Sequence, residues 1–301
     1  MTPEIKEHPP QKMDQPASSN AGHLSEVGTP SYTIEAPSYF SLNLKELFEY
    51  RELFYFFTWR DIKVKYKQTV LGFLWAILQP FLMMLLFTAI FGNALGVASD
   101  GIPYPIFAYS GLLLWNIFAS GLNSAANSMV TNANLIKKIY FPRLIIPMSS
   151  VLVALFDFLM ALVVYIGLLV YYQYEIDFVR TLIFLPMSLL LTTISTFGLG
   201  SILASLNVKY RDFRYVVPYL IQFLLFINPV IYSTSIFSAP WAKYVIAINP
   251  MAGAINMSRF AFVDKPIEWD LVGISVASGL ILFTAGVYIF RKTEAYFADL
   301  A

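Results

Sequence analysis

One carboxylate stands by itself in a long apolar run. Asp157 lies thirteen residues past Leu144, in a stretch from 144 to 172 that holds no other charge. On a helix rising about 1.5 Å per residue, that is ~20 Å along the axis. Unpaired near the middle of a bilayer it would cost at least ~2.5 kcal/mol, so it is expected to face a partner or a hydrated cavity. A lone acid with no second titratable group on its path makes a poor proton relay, so a structural hydrogen-bonding role is expected. A second cluster precedes the first apolar run, where Ile62-Lys63-Val64-Lys65-Tyr66-Lys67 alternates basic with other residues. Snorkelling into lipid headgroups accounts for Lys63, Lys65 and Lys67. The same cations equally suit an anionic pyrophosphate head at the cytosolic leaflet, with Leu71-Gly72 beside them as a tight turn into the membrane.

Aromatic rings are the other conspicuous chemistry. They make up 17% of the chain, and several lie inside apolar runs where an interfacial belt does not need them. Phe73, Trp75, Phe81, Phe87, Tyr109, Trp115, Phe223 and Phe226 are of this kind. They fit two readings: lipid-facing or helix-packing rings, or a channel ladder. In the second, flat polarisable faces let a sugar chain slide past without deep binding minima.

Much chemistry is excluded. No GxxxxGK[ST] occurs and no Gly is followed directly by Lys, so this chain has no phosphate-cradling loop for ATP. HExxH, GxSxG and paired carboxylates within one apolar run are absent as well. With no cysteine, and with its two histidines at His8 and His23 in the polar N-terminal region, the chain offers no thiolate and no catalytic imidazole. Neither a catalytic residue nor a metal site is expected, and no cofactor in this chain.

The elements that position these residues are membrane spans. The chain is 57% hydrophobic and 13% charged, far from the roughly 25% charged composition of soluble domains. From Gln68 to Ile136 the only charge is Asp100. The spacing predicts an all-α integral membrane protein with six spans, at about 71–92, 105–127, 144–172, 180–206, 215–236 and 271–290. The uncharged run Tyr244 to Ser258 is too short to cross and contains Asn249-Pro250, so it reads as a short re-entrant hairpin before the last span. Residues 1–40 read as a disordered cytosolic tail, and 41–70 as an amphipathic helix along the membrane surface. There Leu44, Leu47, Phe48, Phe54 and Tyr55 share one face. Residues 71–292 hold the spans and 293–301 a cytosolic C-terminal tail. One side, with segment 41–69, loops 128–143 and 207–214 and Arg291-Lys292, carries fourteen Lys and Arg; the other carries four. The positive-inside bias therefore puts both termini in the cytoplasm. Dispersed basic residues form no single face for nucleic acid.

Several motifs in order then carry a resemblance: Trp59 to Pro80, Asn132 to Pro147, Leu206 to Gln222, Asn228-Pro229, Asn249-Pro250-Met251, and Arg291 to Leu300. From about Leu44 to the C-terminus the chain resembles the permease subunit of ABC transporters that export polysaccharide or polyol phosphate, of the O-antigen or teichoic-acid type. The proline-rich first 40 residues depart from it. The resemblance implies a homodimer in the bacterial plasma (inner) membrane with a channel between the copies. It also implies two copies of a separate ATPase subunit that bind the ATP and magnesium, and a lipid-linked polysaccharide as cargo. It maps a coupling helix for the ATPase onto about Asn127 to Phe141, including Asn132, Asn134, Lys137, Lys138 and Tyr140. O-antigen export is the leading expectation, with teichoic-acid or capsular polysaccharide export as the alternative. A secondary transporter would show repeated halves, and a membrane-embedded glycosyltransferase clustered catalytic residues; neither is visible.

Overall fold

The computed structural model describes residues 44–67, 72–260, 267–294 and 297. The expected tail 1–40, Leu71 of the expected turn, and residues 298–301 of the C-terminal tail lie outside the described residues. Among the described residues every regular element is helical. Helices α1 (Leu44–Glu49) and α2 (Arg51–Lys67) lead to α3 (Leu74–Phe87), which runs on as a π-helical turn, Thr88–Ala94. The long helices α4 (Tyr104–Thr131), α6 (Ile145–Tyr171) and α7 (Phe178–Lys209) follow, with the single turn α5 (Ala133–Ile136) between the first two. The chain closes with α8 (Phe213–Ile227), α9 (Pro240–Ala247), α10 (Pro250–Arg259) and α11 (Trp269–Glu294).

Five of these elements are long and apolar enough to cross a membrane: Leu74–Ala94, Tyr104–Thr131, Ile145–Tyr171, Phe178–Lys209 and Trp269–Glu294. They coincide with five of the expected spans. The sixth differs. Instead of a helix over 215–236, α8 has 15 residues, ~22 Å at 1.5 Å per residue, against about 30 Å of hydrocarbon. It stops because Pro229 has no N–H to donate and its ring drives the preceding residue out of the helical region; Asn228 sits at φ −75°, ψ 144°. The same dipeptide chemistry divides α9 from α10. Asn249 is extended at φ −80°, ψ 115°, and its side chain caps α10 by accepting from the Met251 N–H at 3.0 Å.

Helix α4 is the centre of the fold, its residues from Ile106 to Trp115 almost fully buried. An all-round apolar helix needs neighbours on every side, and small residues let them come close. A Cβ on Gly200 of α7 would lie 2.8 Å from the Ala125 Cβ of α4, and one on Gly121 would lie 2.9 Å from Thr196 Cγ2. Small residues at Gly121, Ala125 and Gly200 thus set the α4–α7 crossing. Helices α7 and α11 touch backbone to backbone, where a Cβ on Gly286 would stand 2.3 Å from the Gly198 carbonyl oxygen. The hydroxyls of Ser188, Ser195, Thr196 and Ser205 on α7 donate to carbonyls of their own helix, which satisfies them without a partner from a neighbouring helix.

The N-terminal helices differ from the expectation of one apolar face. Leu47 and Phe54 pack on the core, but Phe48 and Tyr55 are each 68% exposed. Helix α2 stands alongside α6, with Phe57 near Phe141 at 5.5 Å and Tyr66 near Phe156 at 6.1 Å between ring centroids. Its inward face carries Leu53, Phe54 and Phe57 for the core and its outward face carries Tyr55, Phe56 and Trp59.

Candidate functional site

Helix α2 brings its last turn to the intramembrane acid. Lys65 Nζ and the Tyr66 hydroxyl both donate to the Asp157 carboxylate, one to each oxygen, across more than 90 residues of sequence. The Asp157 side chain is 15% exposed and that of Lys65 43%. Burial, followed by the neighbouring carboxylate, holds the Tyr66 phenol above its usual range, so it stays a donor at neutral pH. Asp157 thus has the partners that its depth demanded. Lys65, expected at a lipid headgroup, has its charge committed to this clasp, while Lys63 and Lys67 are exposed and Lys63 lies over the Trp59 ring at 5.2 Å. Gly72 has φ 51°, a left-handed backbone that favours glycine and suits the expected turn into α3.

The aromatic candidates divide into two groups. Phe73 and Trp75 at the start of α3, and Phe223 and Phe226 on α8, are half or more exposed; Phe81 is half-buried. On α8 the exposed rings extend back through Tyr219 and Tyr215, with Gln222 among them. Residues 215, 219, 223 and 226 are spaced by four, four and three, so they form one helical stripe. The two tyrosines were missed in the sequence, although stepping back by four from Phe223 finds both. Tyr109 and Trp115 are corrections. They are 0% and 4% exposed; Tyr109 stacks on Tyr165 at 6.0 Å and donates to the Ala161 carbonyl, and Trp115 packs on Phe118 at 5.4 Å. Both are spent on packing α4 inside the chain and offer no face to a channel between copies. Phe87 is buried likewise.

The expected coupling segment starts in the last residues of α4, up to Thr131, and continues as the single turn α5 and an exposed run. Asn132 is held within the chain, accepting from Arg60 at 2.8 Å and donating to the Ser128 carbonyl. Asn134, Lys137, Lys138, Ile139 and Tyr140 point outward, with Tyr140 82% exposed. The neighbouring corner after α7 is tied to it by Asn207, which donates to the Ala126 carbonyl and to Asn127 Oδ1. Arg143 donates to the Glu294 carbonyl, which fixes the start of α6 to the end of α11. The segments richest in Lys and Arg are thereby gathered at one end of the bundle.

The other end is organised by the two Asn-Pro dipeptides, which meet: Asn249 Nδ2 donates to Asn228 Oδ1 at 3.1 Å, and Asn228 Nδ2 to the Leu224 carbonyl at 2.7 Å. Beyond α8 the chain is irregular, and its carbonyls still need donors. Arg259, at the last turn of α10 and 6% exposed, gives them. Its guanidinium donates to the carbonyls of Pro229 (2.6 Å), Val230 (3.1 Å) and Phe107 (3.1 Å) and lies 3.6 Å over the Phe107 ring. Tyr104 donates to the Ile231 carbonyl at 2.7 Å. Gly111 makes room for the guanidinium, since a Cβ there would fall 2.9 Å from an Arg259 nitrogen. Arg259 was not singled out in the sequence, where it looks like an ordinary loop cation; only the fold reveals the carbonyls around it.

No three or more His, Cys, Asp or Glu side chains gather to hold a metal among the described residues. Residues 52–263 match the family described as ABC-2 type transporter. The chain is 32% identical over 258 residues to the O-antigen export system permease protein RfbA of Klebsiella pneumoniae, covering 86% of this chain and 97% of that protein. It is 30% identical over 261 residues to the protein of the same name from Myxococcus xanthus, covering 85% and 98%. It is 27% identical over 240 residues to the polysialic acid transport protein KpsM of Escherichia coli, covering 78% and 91%. A helical bundle with five membrane-crossing elements, a family match over most of its length and relatives that align end to end make one conclusion: the chain belongs to the ABC-2 type transporters, as a multi-pass membrane permease of the polysaccharide-exporting kind.

Proposed function

We propose that this chain is the membrane half of an ATP-driven exporter in the bacterial inner membrane, moving a lipid-linked polysaccharide of the O-antigen type outward. It works as a homodimer with one ATPase subunit bound to each copy; ATP and magnesium sit on that partner. Both termini face the cytoplasm, since the clustered Lys and Arg lie at one end of the bundle. The sixth crossing is then made by α8 together with the irregular chain that Arg259 and Tyr104 hold. The exposed turn Asn134 to Tyr140 is the docking site for the ATPase, and Lys63 and Lys67, beside the turn at Gly72, meet the anionic head of the cargo.

The observation that carries the reading is the stripe on α8. Tyr215, Tyr219, Phe223 and Phe226 stand exposed in line, and a long hydrated polymer needs repeated weak contacts more than tight sites. Replacing Tyr219, Phe223 and Phe226 together by Ala should slow appearance of surface polysaccharide in cells that depend on this chain, while dimer assembly and ATPase binding persist. Export at the normal rate, or failure only through loss of the dimer, would make the stripe a packing surface. Capsular polysaccharide is the second reading, favoured by the match to the polysialic acid transport protein.

A further inference from the structure

At the end of the bundle opposite the Lys- and Arg-rich segments, a cleft opens between α9, α10, the start of α11 and the loop at Asp100. It has two lobes that share Ser235, Lys243, Glu268 and Leu271. The inner lobe, of about 210 Å³, is walled by Ile102, Phe260 and Val272 and floored by Asn256 and Thr234. The outer lobe has a volume of about 360 Å³ and is lined by Phe237 and Tyr244.

The charged side chains in this cleft are already held by hydrogen bonds. Lys243 pairs with Glu268 at 2.7 Å. Asp100 accepts from Ser233 and, at 2.8 Å, from Ser235. Asp270 accepts from the Tyr244 hydroxyl at 2.8 Å, and Arg259 is occupied by the backbone carbonyls described above. Three carboxylates (Asp100, Glu268, Asp270) against two cations (Lys243, Arg259) leave the described lining at a net charge of −1, which repels an anion. In the inner lobe two polar side chains have no hydrogen-bond partner among the described residues. They are the Thr234 hydroxyl and the Asn256 amide, and Asn256 is the one residue of α10 that is not buried. An amide offers two donors and an acceptor, the hydroxyl one donor and an acceptor. Set between apolar walls, they match a small molecule with neighbouring hydroxyls on an otherwise carbon-lined ring.

We propose that this cleft is a subsite for uncharged sugar units of the cargo, holding one unit in the inner lobe at Asn256 and Thr234 and the next in the outer lobe. The inference rests on the exporter reading and extends it: the orientation given there puts the cleft on the exit side, and its charge selects neutral over acidic glycans. The test uses the full chain with its ATPase partner in lipid nanodiscs, and saturation-transfer NMR with methyl mannoside, methyl galactoside and methyl N-acetylglucosaminide as probes. N-acetylneuraminate and glycerol phosphate serve as anionic controls. At least one neutral glycoside should bind, and Asn256→Leu should weaken it by about tenfold, the equivalent of 1.4 kcal/mol. Thr234→Val should weaken it too, and Ile166→Ala at an exposed position of α6 should leave it unchanged. A thermal midpoint equal to that of the unmodified protein excludes misfolding, and Thr234→Val carries the test should Asn256→Leu not fold. Neutral glycosides binding no better than the acids, or equally well to both variants, would overturn the subsite while export continues. Loss of the chain without loss of surface polysaccharide would overturn the exporter reading itself.

Discussion

Replacing Asp157 by Asn should leave the fold intact but uncouple Lys65, because the amide can still accept from Tyr66 while its charge is gone. A hydrogen bond to a charged group contributes roughly 1.5–3 kcal/mol when buried. Lys65 keeps 43% of its side-chain exposure and regains water when released, so its share is discounted to about 1 kcal/mol. Asp157→Leu removes the acceptor for both donors and leaves the half-buried Tyr66 hydroxyl unsatisfied, which raises the loss to about 2–4 kcal/mol. The measurement is a double-mutant cycle with Lys65→Met, read by equilibrium unfolding of the purified protein in mixed micelles. The coupling between Asp157→Asn and Lys65→Met should be about 1 kcal/mol, the double variant falling little below the worse single one. Additivity within about 0.3–0.5 kcal/mol would refute the clasp. Normal protein levels with export abolished in Asp157→Asn alone would instead support a titrating acid.

Gly286→Ala should lower the amount of folded protein by forcing α11 away from α7, since its Cβ would stand 2.3 Å from the Gly198 carbonyl oxygen; overpacking of this kind costs about 1–3 kcal/mol, checked by the same unfolding titration. Arg259→Met should be more damaging than any exposed cation change, because it strands the carbonyls of Pro229 and Val230; a loss of about 3 kcal/mol or more is expected, with Lys243→Met within about 1 kcal/mol as the exposed-pair control. Cysteine at Tyr140, which is 82% exposed, should crosslink to the ATPase partner, whereas cysteine at Asn132, held by Arg60 at 2.8 Å, should react poorly; the reverse ranking would move the docking site elsewhere.

Sequence alone determined the class of this protein. Charge-free runs longer than a bilayer is thick have few alternatives to membrane helices, so five spans were legible to within a few residues. Period and composition act locally, and that is why they could be read. What the tertiary structure decided is everything that depends on which faces meet. Asp157 announced that it needed a partner, but the last turn of α2 lies more than 90 residues earlier, and no local pattern names Lys65 and Tyr66. Aromatic type did not separate Tyr109 and Trp115, packed inside, from Phe223 and Phe226, exposed in line with Tyr215 and Tyr219, because a ring serves a core and a surface equally well. The sixth span was overextended for a similar reason: an uncharged run continues through Asn228-Pro229, whereas the helix cannot. That break is tolerable only because Arg259, distant in sequence, supplies donors to carbonyls that a bilayer would leave bare, and satisfaction of buried backbone groups is a property of the assembled fold.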